Sequence, residues 1–243
     1  MHWYSRDGES KYEIVGANGE FRATTLRDAK KLGLVPSVTT INAILSRPGL
    51  DKWKMDKLLD AAFTNRALKL TKERWSAVVR SRANEESSAA MKRGTQLHDH
   101  LEQFFKCNKI QEEEFIIPAI KMVNAINTNN NWRAEDSFAH PSGFGGKIDL
   151  HSKEGDGFII DFKTKAFTEI KEMAYDEHAM QLAAYSIGLN LPKARCFNLF
   201  ISTTKPGLLH LHEWKKGDIE RAGKMFNHLL ELWKLFNNFD SSF

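Results

Sequence analysis

The chain has 243 residues, 42% apolar and 27% charged, with sixteen Phe and six Trp. This supplies one sizeable core and, at ~100–200 residues per domain, fits one large domain or one domain with an appendage. No apolar run reaches the ~18 residues of a membrane span, and the formal charge of +4 permits a polyanionic partner without requiring one. Two cysteines, Cys107 and Cys196, fit a reducing compartment. The opening Met1-His2-Trp3-Tyr4-Ser5-Arg6-Asp7 has neither a secretory nor an import pattern, so a cytoplasmic protein with no membrane partner is expected.

In chain order, residues 1–35 read as a β-hairpin-like extension, with short pieces at 12–15 and 21–24 around Asn18-Gly19. Residues 36–130 read as helical. Ser37 or Thr39 is a candidate N-cap, Pro48-Gly49 breaks the first helix, and a longer helix is expected over 51–70. Two more, separated near Thr71 and Asn84, lead towards Cys107, and another covers 116–128. No internal repeat is present. After Asn131 the texture changes, and 131–243 reads as a sheet with helices. Strands are expected at 132–140, 146–151, 158–165, 195–202 and 208–214, with helices at 170–188 and 218–237. The order predicts an α/β domain with a central mixed β-sheet flanked by helices and preceded by a helical region, forming one compact unit with it.

The most informative segment is Gly146-Lys147-Ile148-Asp149-Leu150-His151, a Gly-containing turn, and Phe158-Ile159-Ile160-Asp161-Phe162-Lys163. A hairpin centred on Gly155 sets Asp149 opposite Asp161. Alternation then places Asp149, Asp161 and Lys163 on one face, and Ile148, Leu150, Ile160 and Phe162 on the other, apolar one. Directly opposed residues lie ~4.5–5.5 Å apart, where like charges destabilise each other. Lys163 compensates in part. A hard divalent cation compensates better, since Mg²⁺ commonly takes one or two carboxylates plus a substrate phosphate. The alternative is two solvated acids on an exposed strand face, and a bulge in the turn would abolish the opposition.

Two helical patterns accompany the hairpin. Gly94, His98 and Glu102 recur at every fourth residue on one stripe, where a glycine one turn before a histidine allows a close approach; a partly buried structural histidine is the alternative. His178, Gln181 and Tyr185 form a polar face on the later helix, which could equally be a surface stripe.

As an ordered set, Gly94-x-x-x-His98, Gly146-Lys147-Ile148-Asp149, Asp161-Phe162-Lys163 and Gln181-x-x-x-Tyr185 resemble the PD-(D/E)XK nuclease superfamily in its RecB-like branch. Upstream, Val35-Pro36-Ser37-Val38-Thr39-Thr40-Ile41 with Pro48-Gly49-Leu50 and Trp53 resembles the N-terminal region of phage-type and mitochondrial genome maintenance exonucleases. The resemblance implies a restriction-endonuclease-like core. It implies Asp149, Asp161, His98 and the Phe162 carbonyl as ligands of one or two Mg²⁺ or Mn²⁺ ions, and Lys163 as the catalytic lysine. Gln181 and Tyr185 would orient that lysine or bind DNA, and Glu135 would be an additional acid. Relatives with an iron–sulfur cluster need four cysteines, so no cluster is expected here.

The implied reaction is metal-dependent hydrolysis of DNA phosphodiesters, leaving a 5′-phosphate and a 3′-hydroxyl. Work in recombination or repair, with a second copy or a replication partner, is compatible with it. Arg66, Lys69, Lys72, Arg74, Trp75, Arg80, Arg82, Lys92 and Arg93 form a basic stretch suited to phosphates and base stacking, although Glu73, Glu85 and Glu86 interrupt it and a solvated helix is the alternative. His210-x-His212 reads as edge-strand surface histidines. An exonuclease is favoured because the chain is short, lacks an obvious recognition domain and carries the exonuclease-like N-terminal segment. An endonuclease on the same core, or an inactive DNA-binding module, are the rivals. A sugar hydrolase with paired carboxylates is remote, since its acids need no lysine.

Overall fold

A computed structural model describes residues 1–46, 48–129, 131–170 and 173–240, with Glu86 described through its backbone alone. Strand β1 (Trp3–Tyr4) is followed by the expected hairpin of β2 (Glu13–Val15) and β3 (Phe21–Ala23), turned at Gly19 with φ 80°. Helix α1 (Leu26–Leu32) was not expected. Its start is a capping box in which the Thr25 hydroxyl accepts from the Asp28 amide and the Asp28 carboxylate accepts from the Thr25 amide. Strand β4 (Val35–Pro36) then pairs antiparallel with β1. Trp3 is fully buried, stacked on Phe239 and edge-on to Trp233, so residues 1–35 are tied into the main core.

Ser37 caps α2 (Val38–Asn42) by accepting from the Thr40 amide at 3.0 Å. Helix α3 (Pro48–Thr64) begins at the proline, where a missing N–H costs nothing, and ends well before residue 70. Helix α4 (Lys72–Cys107) is continuous for 36 residues, so the expected break near Asn84 is absent. One Asn costs a helix only several tenths of a kcal/mol. Ala83 beside it is buried, and no Pro or Gly interrupts the run before Gly94. Helix α5 (Glu113–Ile126) follows.

The remaining elements are β5 (Arg133–His140), β6 (Phe144–Ser152), β7 (Phe158–Lys165), α6 (Asp176–Gly188), β8 (Arg195–Ser202), β9 (Leu209–Trp214) and α7 (Lys216–Asn237). Helix α6 starts six residues later than expected; Lys171 and Glu172, inside the expected span, lie outside the described residues. Its first turn carries Asp176 and Glu177, the acids a helix N-terminus favours, and the Tyr175 amide donates to His178 Nδ1 at 3.2 Å.

The five strands lie side by side in chain order, antiparallel except for β7 and β8, which are parallel and joined through α6. The fold is thus α/β, with a mixed five-stranded sheet between helical layers. One sheet face, including Ile159 and Cys196, buries itself against α2, α6 and α7. The other, including Ile160, Phe162 and Leu199, packs on α5 and the second half of α4.

Ile148 departs from the expected face. It packs with Ile159 and the α6–α7 layer, whereas Leu150 packs with Ile160 and Phe162. The cause lies at the intervening residue. Pairing between β5 and β6 runs through Ala134–Leu150 and Asp136–Ile148 but skips Glu135 and Asp149. Glu135 sits there at φ 61°, a conformation a strand does not sustain, so simple alternation is lost across the step.

Candidate active site

The β6–β7 ladder pairs Ser152 with Phe158, His151 with Ile159 and Leu150 with Ile160. Continued by one step, this register sets Asp149 opposite Asp161, as the hairpin reading requires. The ladder itself stops at Leu150. Beyond it, Asp149 Oδ2 accepts the Phe162 amide at 2.7 Å, so a side-chain oxygen substitutes for a backbone carbonyl. The two strands part where the two acids lie.

Register extends this row across the whole sheet. Glu135 of β5 falls at the level of Asp149, between the pairs Ala134–Leu150 and Asp136–Ile148 and without pairing with it; Asp161 pairs with Asn198 of β8, and Asn198 pairs with His212 of β9. A line of polar residues therefore crosses the sheet, passing through the apolar stretches of β7 and β8.

Asp161 is the most constrained member, only 1% exposed. Its Oδ1 accepts from Gln181 Nε2 at 2.8 Å, and its Oδ2 accepts from Asn198 Nδ2 at 2.8 Å and Lys163 Nζ at 2.7 Å. Lys163 also donates to Gln181 Oε1 at 2.9 Å, while Gln181 Nε2 donates to the Tyr185 hydroxyl at 2.8 Å. The spacing of Gln181 and Tyr185, four residues apart on α6, lets one side chain brace acid, lysine and phenol together. Burial, then the charges of Asp161 and Asp149, push the Tyr185 phenol well above its ordinary pKa, so it stays protonated.

Asp149 is less well compensated. Burial first, and then the neighbouring Asp161 charge, raise its carboxyl well above the usual carboxylate range; Lys163 and the Phe162 amide oppose the rise. A carboxylate pair, one fully and one largely buried, that is short of positive charge is the electrostatic signature of a site that gains from a cation.

Helix α4 contributes His98. An ideal Cβ built on Gly94 would lie 2.6 Å from Thr164 Oγ1, so glycine lets α4 settle on β7 without displacing that hydroxyl. One turn on, His98 Nδ1 comes within 3.6 Å of Asp149 Oδ2, and its ring meets Phe162 edge-on at 6.0 Å. Burial holds its pKa below the ordinary value and leaves it a neutral imidazole with a lone pair to offer. Glu135 is ion-paired with Lys147 at the margin of this group.

These donors suit a hard or borderline divalent cation: two carboxylates, a neutral imidazole and the Phe162 carbonyl on the parted strands. Among the described residues no three His, Cys, Asp or Glu side chains are gathered tightly enough to hold a metal as they stand. Asp161, whose oxygens face three donors, would have to exchange a partner to bind one. Lys163 is the natural one to move, being charged, flexible and 27% exposed.

The basic stretch is not brought into this network. Arg66, Lys69, Lys72, Arg74, Arg80, Arg82 and Lys92 are exposed along the α3–α4 hairpin. Three of its members have partners within the fold: Arg66 donates to the Phe63 carbonyl at 2.8 Å and lies 4.0 Å over the Phe63 ring. Trp75 donates its indole N–H to the Asn65 carbonyl at 3.0 Å, tying α4 to the preceding turn. Arg93 pairs with Glu112 at 2.6 Å and lies 4.7 Å over the Phe115 ring. His210 and His212 lie half-buried on the edge strand β9.

Asn198 escaped the sequence reading. Its signal was a lone amide inside Arg195-Cys196-Phe197-Asn198-Leu199-Phe200-Ile201, where an unpartnered polar group would be costly.

No family model and no curated protein matches the chain. A solved structure titled "Crystal structure of SSO0001" is similar to it at 18% identity with a TM-score of 0.29, over 47% of this chain. The similarity spans 57% of that chain's own length. No helix among the described residues is long and apolar enough to cross a membrane.

Proposed function

We propose that the chain is a metal-dependent deoxyribonuclease of PD-(D/E)XK type that hydrolyses phosphodiester bonds to a 5′-phosphate and a 3′-hydroxyl, acting as an exonuclease. The observation that carries this reading is the opposition of Asp149 and Asp161 where β6 and β7 part, with Lys163 and Gln181 hydrogen-bonded to Asp161 and to each other. The four motifs that resemble the family in sequence, including His98, converge on this one place.

Asp149, Asp161, His98 and the Phe162 carbonyl would hold Mg²⁺ or Mn²⁺. When bound, the ion supplies Lewis-acid polarisation of the phosphate and a water of lowered pKa. The chain's own groups do the rest. Lys163, released from Asp161 Oδ2, positions the attacking water through its ammonium and offsets charge developing on the phosphoryl oxygens, the water's proton passing to solvent. Gln181 Oε1 keeps the ammonium beside the carboxylates while it does so. Tyr185 remains a neutral phenol and steadies Gln181. The exposed cations of the α3–α4 hairpin hold the DNA backbone through phosphate contacts.

The test is a time course on 5′- and 3′-labelled single- and double-stranded oligonucleotides and on a closed circle, with and without Mg²⁺. Mg²⁺-dependent shortening from an end, with the circle intact, is expected. Cleavage of the circle favours the endonuclease. Binding without cleavage would leave a DNA-binding module, and cleavage that survives EDTA would end the metal mechanism.

A further inference from the structure

Asp161 is held from its far side by a chain of hydrogen bonds that starts at the edge of the sheet. Asn198 is fully buried and pairs with Asp161 across the parallel β7–β8 ladder. Its Nδ2 donates to Asp161 Oδ2 at 2.8 Å and lies 3.4 Å from the Asp161 carbonyl. Its Oδ1 accepts the indole N–H of Trp214, on β9, at 2.7 Å. The orientation of this amide is forced. Indole nitrogen can only donate and a carboxylate can only accept, so the flipped amide would set donor against donor and oxygen against oxygen. Trp214 is itself seated by His212, whose ring meets it edge-on at 4.5 Å.

The arrangement matters because the other donor to Oδ2 is Lys163, the group that must leave when a cation arrives. Asn198 is neutral and buried, and Gln181 grips the opposite oxygen. The carboxylate plane therefore keeps its orientation whether or not the lysine is present. We propose that Trp214 and Asn198 are positioning residues for this site: the indole N–H fixes the Asn198 amide, and the amide fixes Asp161 as a cation ligand. The proposal rests on the nuclease reading for what Asp161 binds, but not for the hydrogen-bond chain itself.

Trp214→Phe keeps the aromatic bulk and removes only the N–H. Calorimetric titration with Mn²⁺ should show its Kd raised about threefold to tenfold over the wild-type protein, and Asn198→Ala should raise it about 10–100-fold, the usual range for groups that orient a metal ligand. The double variant should bind no more weakly than Asn198→Ala alone, because the indole acts only through the amide; independent structural effects would add. On DNA, kcat should fall in parallel with KM unchanged. Trp214→Phe that binds Mn²⁺ like wild type, or losses that add in the double variant, would overturn the proposal.

A metal-free measurement separates this from the nuclease reading and covers a failure of Asn198→Ala to fold. The side-chain amide protons of Asn198, followed by ¹H–¹⁵N NMR, should exchange slowly in the wild type and at least about tenfold faster in Trp214→Phe. Fast exchange in the wild type would overturn the hydrogen-bond chain whatever the protein binds. Slow exchange with no Mn²⁺ binding would overturn the nuclease reading instead, while upholding the chain.

Discussion

The parted end of β6 and β7 and the α3–α4 hairpin treat charge in opposite ways. At the sheet, the innermost polar groups are enclosed and answered: Asp161 has three donors, Gln181 touches acid, lysine and phenol, and Asn198 is pinned from both ends. On the hairpin, α3 has no buried residue, and Met55, Leu59 and Phe63 share its surface with exposed cations. A side chain at the sheet has one productive place, whereas one on the hairpin acts mainly through the charge it adds. Substitutions should therefore be sharp and coupled in the first region, graded and additive in the second.

The largest expected effect tests that sharpness. Lys163→Met should lower Mg²⁺-dependent cleavage by about 10³-fold, within the range for a lost transition-state donor, while DNA binding in a gel-shift assay changes little. Retained activity would remove Lys163 from the mechanism.

Next comes the contact that seats His98. Gly94→Ala places a methyl 2.6 Å from Thr164 Oγ1 and should cost ~1–3 kcal/mol in urea unfolding, as overpacking does. Adding Thr164→Ala should recover part of that loss. An unaffected single variant would mean that α4 does not depend on this close approach.

Asp149→Asn should act in the other direction. An amide oxygen can still accept from Phe162, but the like-charge opposition disappears, so the metal-free protein should gain ~0.2–1 kcal/mol at pH above the folded pKa of Asp149. The sign with pH follows from the raised carboxyl. A proton held more tightly in the folded than in the unfolded chain makes the contribution of Asp149 greatest below its unfolded pKa, and that contribution is lost as pH rises through the folded value. Melting curves of the metal-free wild type should show this decline, and the variant should lack it.

The smallest effects belong to the hairpin. Arg80→Ala should leave stability within ~0.5 kcal/mol, as for most surface changes. It should weaken DNA binding modestly and reduce the salt slope by about one, as for one lost phosphate contact. Arg93→Ala should do the reverse: the Glu112 pair and the Phe115 contact lie within the fold, so it should lower thermal stability with little change in the salt slope. Equal behaviour of the two would mean that the Glu112 and Phe115 contacts do not set Arg93 apart from the exposed cations of the hairpin.

Much of the sheet was legible because its signals are local. The boundaries of β7 and β8 follow from apolar runs bounded by turns, and the hairpin register follows from the position of Gly155. Gly94 and His98, and Gln181 and Tyr185, are visible through helical spacing. Less was legible where a local rule yields to its surroundings. Asn84 looks like a break, yet the helix propagates through it. Ile148 looks like a partner of Leu150, yet the left-handed turn of Glu135 on a neighbouring strand sends it to the opposite face. Trp75 and Arg93 have partners in Asn65 and Glu112 that no local pattern announces.

By itself, the order of residues determined the α/β succession, the Asp149–Asp161 register and the helix faces carrying His98 and Gln181, since periodicity and turn position act within one or two neighbouring elements. Tertiary structure alone decided that Asp149 would reach the Phe162 amide, that Gly94 would meet Thr164, and that an indole on β9 would reach Asp161 through Asn198. Those contacts join residues up to 70 positions apart, as Gly94 and Thr164 are, and no sequence spacing encodes them. They arise when strands part and helices settle in ways that give most enclosed polar atoms a partner.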